Sequence, residues 1–162
     1  MSVTVHQEIR DEGVAQLLAA LVDAGENPEP WLAVIGRVLK SDIQLGFRSG
    51  TDPYGRPWAP LRSRSGQPLV DRGHLMNSID FAVEDNSVIV GTNRMYAGTH
   101  QFGATIEPRQ AKRLRFFVHG RPVFARKVTI PARPFLPWEG LPGAWAGDIK
   151  SELNAYFTSL GG

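Results

Sequence analysis

The 162-residue chain contains no cysteine, which excludes disulfide staples and thiolate metal sites together. Its longest apolar run, Leu17-Leu18-Ala19-Ala20-Leu21-Val22, falls far short of the ~20 residues that a membrane helix needs. No basic-then-apolar leader with a cleavage site opens the chain. The expectation is a soluble protein with no membrane partner, folding in a reducing cytoplasm. Catalytic signatures are missing too: there is no phosphate loop ending in Lys-Ser or Lys-Thr, no His-Glu-x-x-His and no Gly-x-Ser-x-Gly elbow. His6, His74, His100 and His119 are widely spaced, with no pair at ligand spacing. Asp52 alone cannot make a calcium site. No catalytic, cofactor-binding or metal-binding residue is therefore assigned, and none is expected.

Acid is absent from one long stretch. Residues 108–138 hold Arg109, Lys112, Arg113, Arg115, Arg121, Arg126, Lys127 and Arg133 with no Asp or Glu, a charge of +8, whereas the rest of the chain has ten basic and sixteen acidic residues, or −6. Such segregation suits nucleic acid, or copies of the chain joined head to tail. The bland alternative is a solvated basic hairpin with no partner.

The length suits one domain spanning 1–162 with a single core. Val3, Val5 and Ile9 alternate with polar residues and predict a short strand at a sheet edge. From Asp11 the period changes: Val14, Leu17, Leu18, Leu21 and Val22 form the stripe of an amphipathic helix ending near Gly25. Asn27-Pro28-Glu29-Pro30 opens a second helix, whose apolar stripe of Leu32, Ile35, Leu39 and Ile43, widened by Trp31, Val34 and Val38, runs to Gly46 or Phe47. In Asp52-Pro53-Tyr54-Gly55-Arg56-Pro57-Trp58-Ala59-Pro60-Leu61 a type I turn is expected, followed by a long loop pinned by Trp58 and Leu61. Asp71–Met76 reads as a helical turn. Ile79, Phe81 and Val83, a turn at Asp85-Asn86, and Val88–Val90 predict a β-hairpin. Trp145, Ile149, Leu153, Tyr156, Phe157 and Leu160 predict a C-terminal helix stopped by Gly161 and Gly162.

Two segments frame the basic stretch. Tyr96-Ala97-Gly98-Thr99-His100-Gln101-Phe102-Gly103 predicts a short helix capped by Asn93, with Tyr96 and His100 on one face and Gly103 as the left-handed residue that ends it. Ile130-Pro131-Ala132-Arg133-Pro134-Phe135-Leu136 is a stiff, extended exit, because Pro131, Pro134 and Pro137 fix φ and restrict their predecessors. Between them, Leu114, Phe116 and Val118 alternate with Arg113, Arg115 and Phe117, and a turn at His119–Pro122 makes a second, longer hairpin across about 104–130. Its apolar side, continued by Phe124, Val128 and Ile130, is expected to join the sheet while the basic side faces out.

These three motifs, in this order, resemble the phage virion morphogenesis family, which includes tail completion proteins of Mu-like and P2-like phages. There a turn with Gly and Trp precedes Tyr-Ala-x-x-His-Gln-Phe-Gly and then Pro-Ala-Arg-Pro-Phe-Leu. The resemblance covers about residues 12–160; the long, strongly basic tract between Gly103 and Ile130 is the departure, since that region varies in the family. The resemblance implies a non-enzymatic virion structural protein that completes the tail and joins it to the head, found in the neck or tail of the virion and in the host cytoplasm during assembly. It implies a ring around the DNA channel, commonly of six, with itself, the connector, tail tube and terminator, and DNA as partners.

The expected fold class is therefore α+β: a small antiparallel sheet packed by two N-terminal helices and one C-terminal helix, with a long basic β-hairpin arm. Trp58, Tyr96, His100, Gln101, Phe102, Gly103, Pro131, Arg133 and Phe135 are expected to brace the structure. Arg109, Lys112, Arg113, Arg115, Arg121, Arg126 and Lys127 are expected to contact a neighbouring subunit or DNA. Two rivals come from other classes: a sequence-independent nucleic-acid-binding domain using the basic hairpin, and a hydrolase relying on His100, which lacks a nucleophile or acid partner in its motif.

Overall fold

The computed structural model describes residues 5–6, 12, 16, 19 and 27–160. It is an α+β arrangement built on one long helix. α1 (Glu29–Ser49) starts where the Asn27 side-chain oxygen accepts a hydrogen bond from Glu29 N–H (3.2 Å), with Pro28 as N-cap and Pro30 in the first turn, where a missing N–H costs nothing. It runs past Gly46 and stops at Gly50, whose φ of 75° and ψ of 30° form the left-handed cap. The end expected at Gly46 or Phe47 is thus displaced to the next glycine, which alone has the positive φ.

After α2 (His74–Asn77), β2 (Ile79–Glu84) and β3 (Ser87–Thr92) form the predicted hairpin, with Phe81 opposite Val90 and Val83 opposite Val88. Asp85 and Asn86 take φ of 46° and 60°, the primed turn that matches strand twist. β1 (Val5–His6) pairs antiparallel with β3, giving the order β1-β3-β2. The short strand is at an edge, as its pattern suggested; Val3 and Ile9 lie outside the described residues. So does most of the helix expected over Asp11–Gly25, of which Glu12, Gln16 and Ala19 are helical.

α1 packs against β2 and β3 on one side and against α4 (Gly143–Leu160) on another. A Cβ at Gly36 would overlap the Phe81 ring, so the glycine is what lets the sheet approach the helix. Trp31, Leu32, Val34 and Ile35 meet Ala146, Ile149 and Leu153 in one half of the core. In the other half, Ile43 and Phe47 meet Trp58, Leu75, Ile79, Phe135, Leu136 and Trp145. Leu160, expected on the apolar stripe of the last helix, is exposed, and the stop at Gly161-Gly162 lies outside the described residues.

The short helix expected in the Tyr96–Gly103 motif is α3 (Ala97–Phe102), with Tyr96 as N-cap. Asn93 does not cap it: the chain enters through Arg94, whose carbonyl accepts from Ala97 N–H at 3.0 Å. The single long hairpin arm is replaced by two separate ladders. β4 (Ala104–Ile106) pairs with β7 (Val128–Ile130), and beyond them β5 (Leu114–Val118) pairs with β6 (Arg121–Ala125). Neither ladder joins the three-stranded sheet. The β5–β6 turn is two residues, His119 and Gly120, both at positive φ, and His119 N–H donates to the Ser63 carbonyl at 3.2 Å. The turn is therefore tied to the 61–67 loop rather than free.

Candidate functional site

The three motifs meet at one junction, and each is held by hydrogen bonds that reach far along the chain. Asp52 builds the first corner. Its buried Oδ1 accepts from Tyr54 N–H (2.8 Å) and Arg56 N–H (2.9 Å), while its carbonyl accepts from Gly55 N–H at 3.0 Å. The carboxylate thus organises a turn. Tyr54 carries that turn to the segment just after the third motif: its hydroxyl donates to the Gly140 carbonyl (2.8 Å) and accepts from Glu139 N–H (2.7 Å) and Trp138 N–H (3.2 Å). Trp58 does the same from the other end of the loop, its indole N–H donating to the Pro134 carbonyl at 2.8 Å and its ring edge meeting Phe47.

Gln101, 2% exposed, joins the second motif to the third. Its side-chain oxygen accepts from both Phe135 and Leu136 N–H at 3.0 Å, and its amide nitrogen donates to the Leu136 carbonyl at 2.8 Å. The prolines at 131, 134 and 137 keep this strip extended and unable to bond itself, so a side chain from α3 completes it. Gly103 is needed where α3 turns into β4: its φ is 73° with ψ of 168°, and a Cβ would lie 2.9 Å from Ile130 O and Ala132 N. The conformation favours glycine, though it is not the left-handed helical one expected from the motif.

Arg133 is a buried cation with no carboxylate partner among the described residues. Its Nε donates to the Ala59 carbonyl (2.7 Å), one terminal nitrogen donates to the Pro60 carbonyl (3.0 Å), and its backbone N–H donates to the His100 carbonyl (2.7 Å). Burial, and then the nearby Arg64, push its pKa down from the usual arginine value. His100 stacks edge-on against Tyr96 at 5.9 Å, and its Nδ1 is buried with no hydrogen-bond partner among the described residues. Burial, and then the Arg133 charge, lower its pKa and favour the neutral ring. Its surroundings are an arginine and an aromatic edge, which supply no acid to orient it as a base.

The junction therefore gathers Trp58, His100, Gln101, Gly103, Arg133 and Phe135. Tyr96 is half-committed, packing on His100 while remaining exposed, and Phe102 is 69% exposed and faces solvent. Pro131 is exposed in the strip. The cations lie apart from this knot. Arg115 and Arg121 are in the β5–β6 ladder, Arg109, Lys112 and Arg113 precede it, and Arg126 and Lys127 link it to β7; all are exposed. Of the two aromatics expected on the apolar side, Phe116 is half-buried, but Phe124 stands on the opposite, exposed face with Arg115 and Phe117, the latter on the outward side as expected. Sequence reasoning expected the turn that begins at Asp52, but gave no role to the Asp52 carboxylate or the Tyr54 hydroxyl. Among the described residues no group of three or more His, Cys, Asp or Glu could hold a metal ion, and no helix is long and apolar enough to cross a membrane.

A small α+β scaffold whose three proline- and glycine-marked motifs lock together around a buried glutamine and arginine is a structural body that presents basic loops. The model of the phage virion morphogenesis family matches residues 9–157, and the chain belongs to that family; it is a phage assembly protein. It is 35% identical over 148 residues to Mu-like prophage FluMu G protein 2 of Haemophilus influenzae, covering 91% of this chain and 91% of that one. No solved structure matches it.

Proposed function

We propose that the protein is a structural, non-catalytic component of the phage neck or tail end, acting in tail completion and head-tail joining as a closed ring of copies around the DNA channel. Six copies is the ring size we assign. The observation that carries this reading is the family match over nearly the whole chain, which includes every residue of the motif junction. The charge layout supports self-assembly. A ring needs two unlike, complementary faces on each copy, and residues 108–138 at +8 against −6 elsewhere supply them.

In this reading the junction of Trp58, His100, Gln101, Gly103, Arg133 and Phe135, flanked by the more exposed Tyr96, Phe102 and Pro131, keeps the body rigid. Arg109, Lys112, Arg113, Arg115, Arg121, Arg126 and Lys127 meet a neighbouring subunit, and the assembled ring meets the connector, tail tube and terminator with DNA passing through. The protein resides in the host cytoplasm during assembly and then in the virion. A phage carrying this chain, deleted for it, should accumulate heads and unfinished tails that do not join, as seen by negative-stain microscopy. Normal yields of infectious particles would contradict the proposal. A second reading, a sequence-independent nucleic-acid binder, draws on the same cations, none of which is ion-paired to another described residue. It predicts DNA retention by the single chain that falls steeply with salt.

A further inference from the structure

The β5–β6 ladder has two unlike faces. Leu114, Phe116, Val118, Val123 and Ala125 are half-buried, whereas Arg115, Phe117, Pro122 and Phe124 are exposed. The register sets Arg115 opposite Phe124 and Phe117 opposite Pro122, so these four share one surface. The Arg115 guanidinium lies 5.4 Å from the centre of the Phe117 ring. Phe117 and Phe124 are 58% and 57% exposed. Aromatic rings with arginine, and no Lys, Asp or Glu between them, form the composition of a protein interface core rather than of a solvated strand.

Elsewhere on the body, a cleft of about 360 Å³ lies between the C-terminal half of α1, the Asp52 turn and the start of α4. Ile43, Leu45, Phe135, Pro142 and Trp145 give it apolar walls, and Leu45 is 59% exposed. Asp42 also lines the cleft, and its Oδ2 is buried without a hydrogen-bond partner among the described residues. An apolar cleft with the acidic residue Asp42 in its lining matches a phenyl ring with a guanidinium stacked on it.

We propose that the exposed face of the β5–β6 ladder docks into the α1–α4 cleft of a second copy, with Phe117 entering the cleft, Arg115 meeting Asp42 and Phe124 covering the rim. This rests on the self-association reading above and makes it specific. The contact is heterologous: knob and cleft are different surfaces, so each copy offers one of each, and successive contacts generate a ring when the rotation between copies closes. Charge favours a second copy as the occupant, since the ladder lies in the +8 tract and, among the described residues, the only charged ones lining the cleft are Asp42 and Asp52.

The test uses sedimentation velocity on the full chain and on two exposed-site variants, a knob variant carrying Phe117→Ser and Phe124→Ser and a cleft variant carrying Leu45→Arg. Thermal unfolding checks that each is folded, and Arg115→Glu serves as a second knob variant. Each variant alone should associate roughly thirtyfold more weakly than the unaltered chain, the loss typical of an interface hot spot. A mixture of knob and cleft variants should form 1:1 dimers and nothing larger, because each supplies the half that the other lacks. Variants that assemble like the unaltered chain, or a mixture that forms no dimer, would overturn the docking while leaving self-association standing. An unaltered chain that stays monomeric at every concentration would overturn both. Loss of DNA retention by the knob variant with assembly intact would make the ladder a nucleic-acid platform and overturn the docking.

Discussion

Gln101 offers the sharpest probe of how the motifs hold the body together. Gln101→Met preserves the length and apolar stem of a side chain that is 2% exposed, but it removes the acceptor for Phe135 and Leu136 N–H and the donor to the Leu136 carbonyl. Three buried backbone groups lose their partner. At ~1–3 kcal/mol for each orphaned group, less what relaxation recovers, the loss comes to about 4 kcal/mol. That is a large share of a domain stability of about 5–15 kcal/mol, and at about 2–4 °C per kcal/mol it lowers Tm by roughly 8–16 °C. Urea titration followed by tryptophan fluorescence measures it, because Trp58 and Trp145 share a core cluster with Phe135 and Leu136. A loss under about 1 kcal/mol would refute the idea that this amide is the chief tie between α3 and the proline-rich strip.

Gly36→Ala should destabilise by about 1–3 kcal/mol through overpacking against Phe81; Phe81→Leu in the same chain should recover part of it, which a double-mutant cycle in urea will show. Arg133→Lys should cost about 2 kcal/mol in the same assay, because one ammonium cannot span the Ala59 and Pro60 carbonyls as the guanidinium does. Burial, and then Asp148, raise the Asp42 pKa to about 6, so the folded chain binds that proton more tightly than the unfolded one and stability falls as pH rises from 3.8 to about 6. Asp42→Asn should therefore be more stable than the unaltered chain at pH 7.5 and level with it at pH 3.5, measured by thermal unfolding of dilute protein. His100 acts in the opposite sense: its lowered folded pKa means that the unfolded chain takes the proton first, so stability is lost as pH falls below 6.5. His100→Gln should flatten that part of the profile.

How much of this was legible depends on range. The β2–β3 hairpin could be read because alternation and Asp85-Asn86 are local signals, and the α1 stripe because its period is. The end of α1 was misplaced because Gly46 and Gly50 look alike until the backbone shows which has positive φ. Prolines 131, 134 and 137 announced a stiff exit, but nothing local says that Gln101 satisfies it from 34 residues away or that Tyr54 holds the residues just after it from 84 to 86 away. In the basic tract, alternation finds two faces without saying which is covered. Phe116 and Phe117 are neighbours on opposite faces, so the same pattern serves a half-buried ring and an exposed one. The irregular residues between the β4–β7 and β5–β6 ladders carried no signal that the expected single arm divides there.

The central claim is that copies of this chain close around the DNA channel where the tail is completed. Cryo-electron microscopy of mature particles from a phage that carries it tests this most directly. The account predicts a closed ring of this chain at the neck or tail end, the β5–β6 ladder of each copy seated against α1 and α4 of the next. Mature particles that lack the chain, or that carry it only as isolated copies away from the channel, would contradict it.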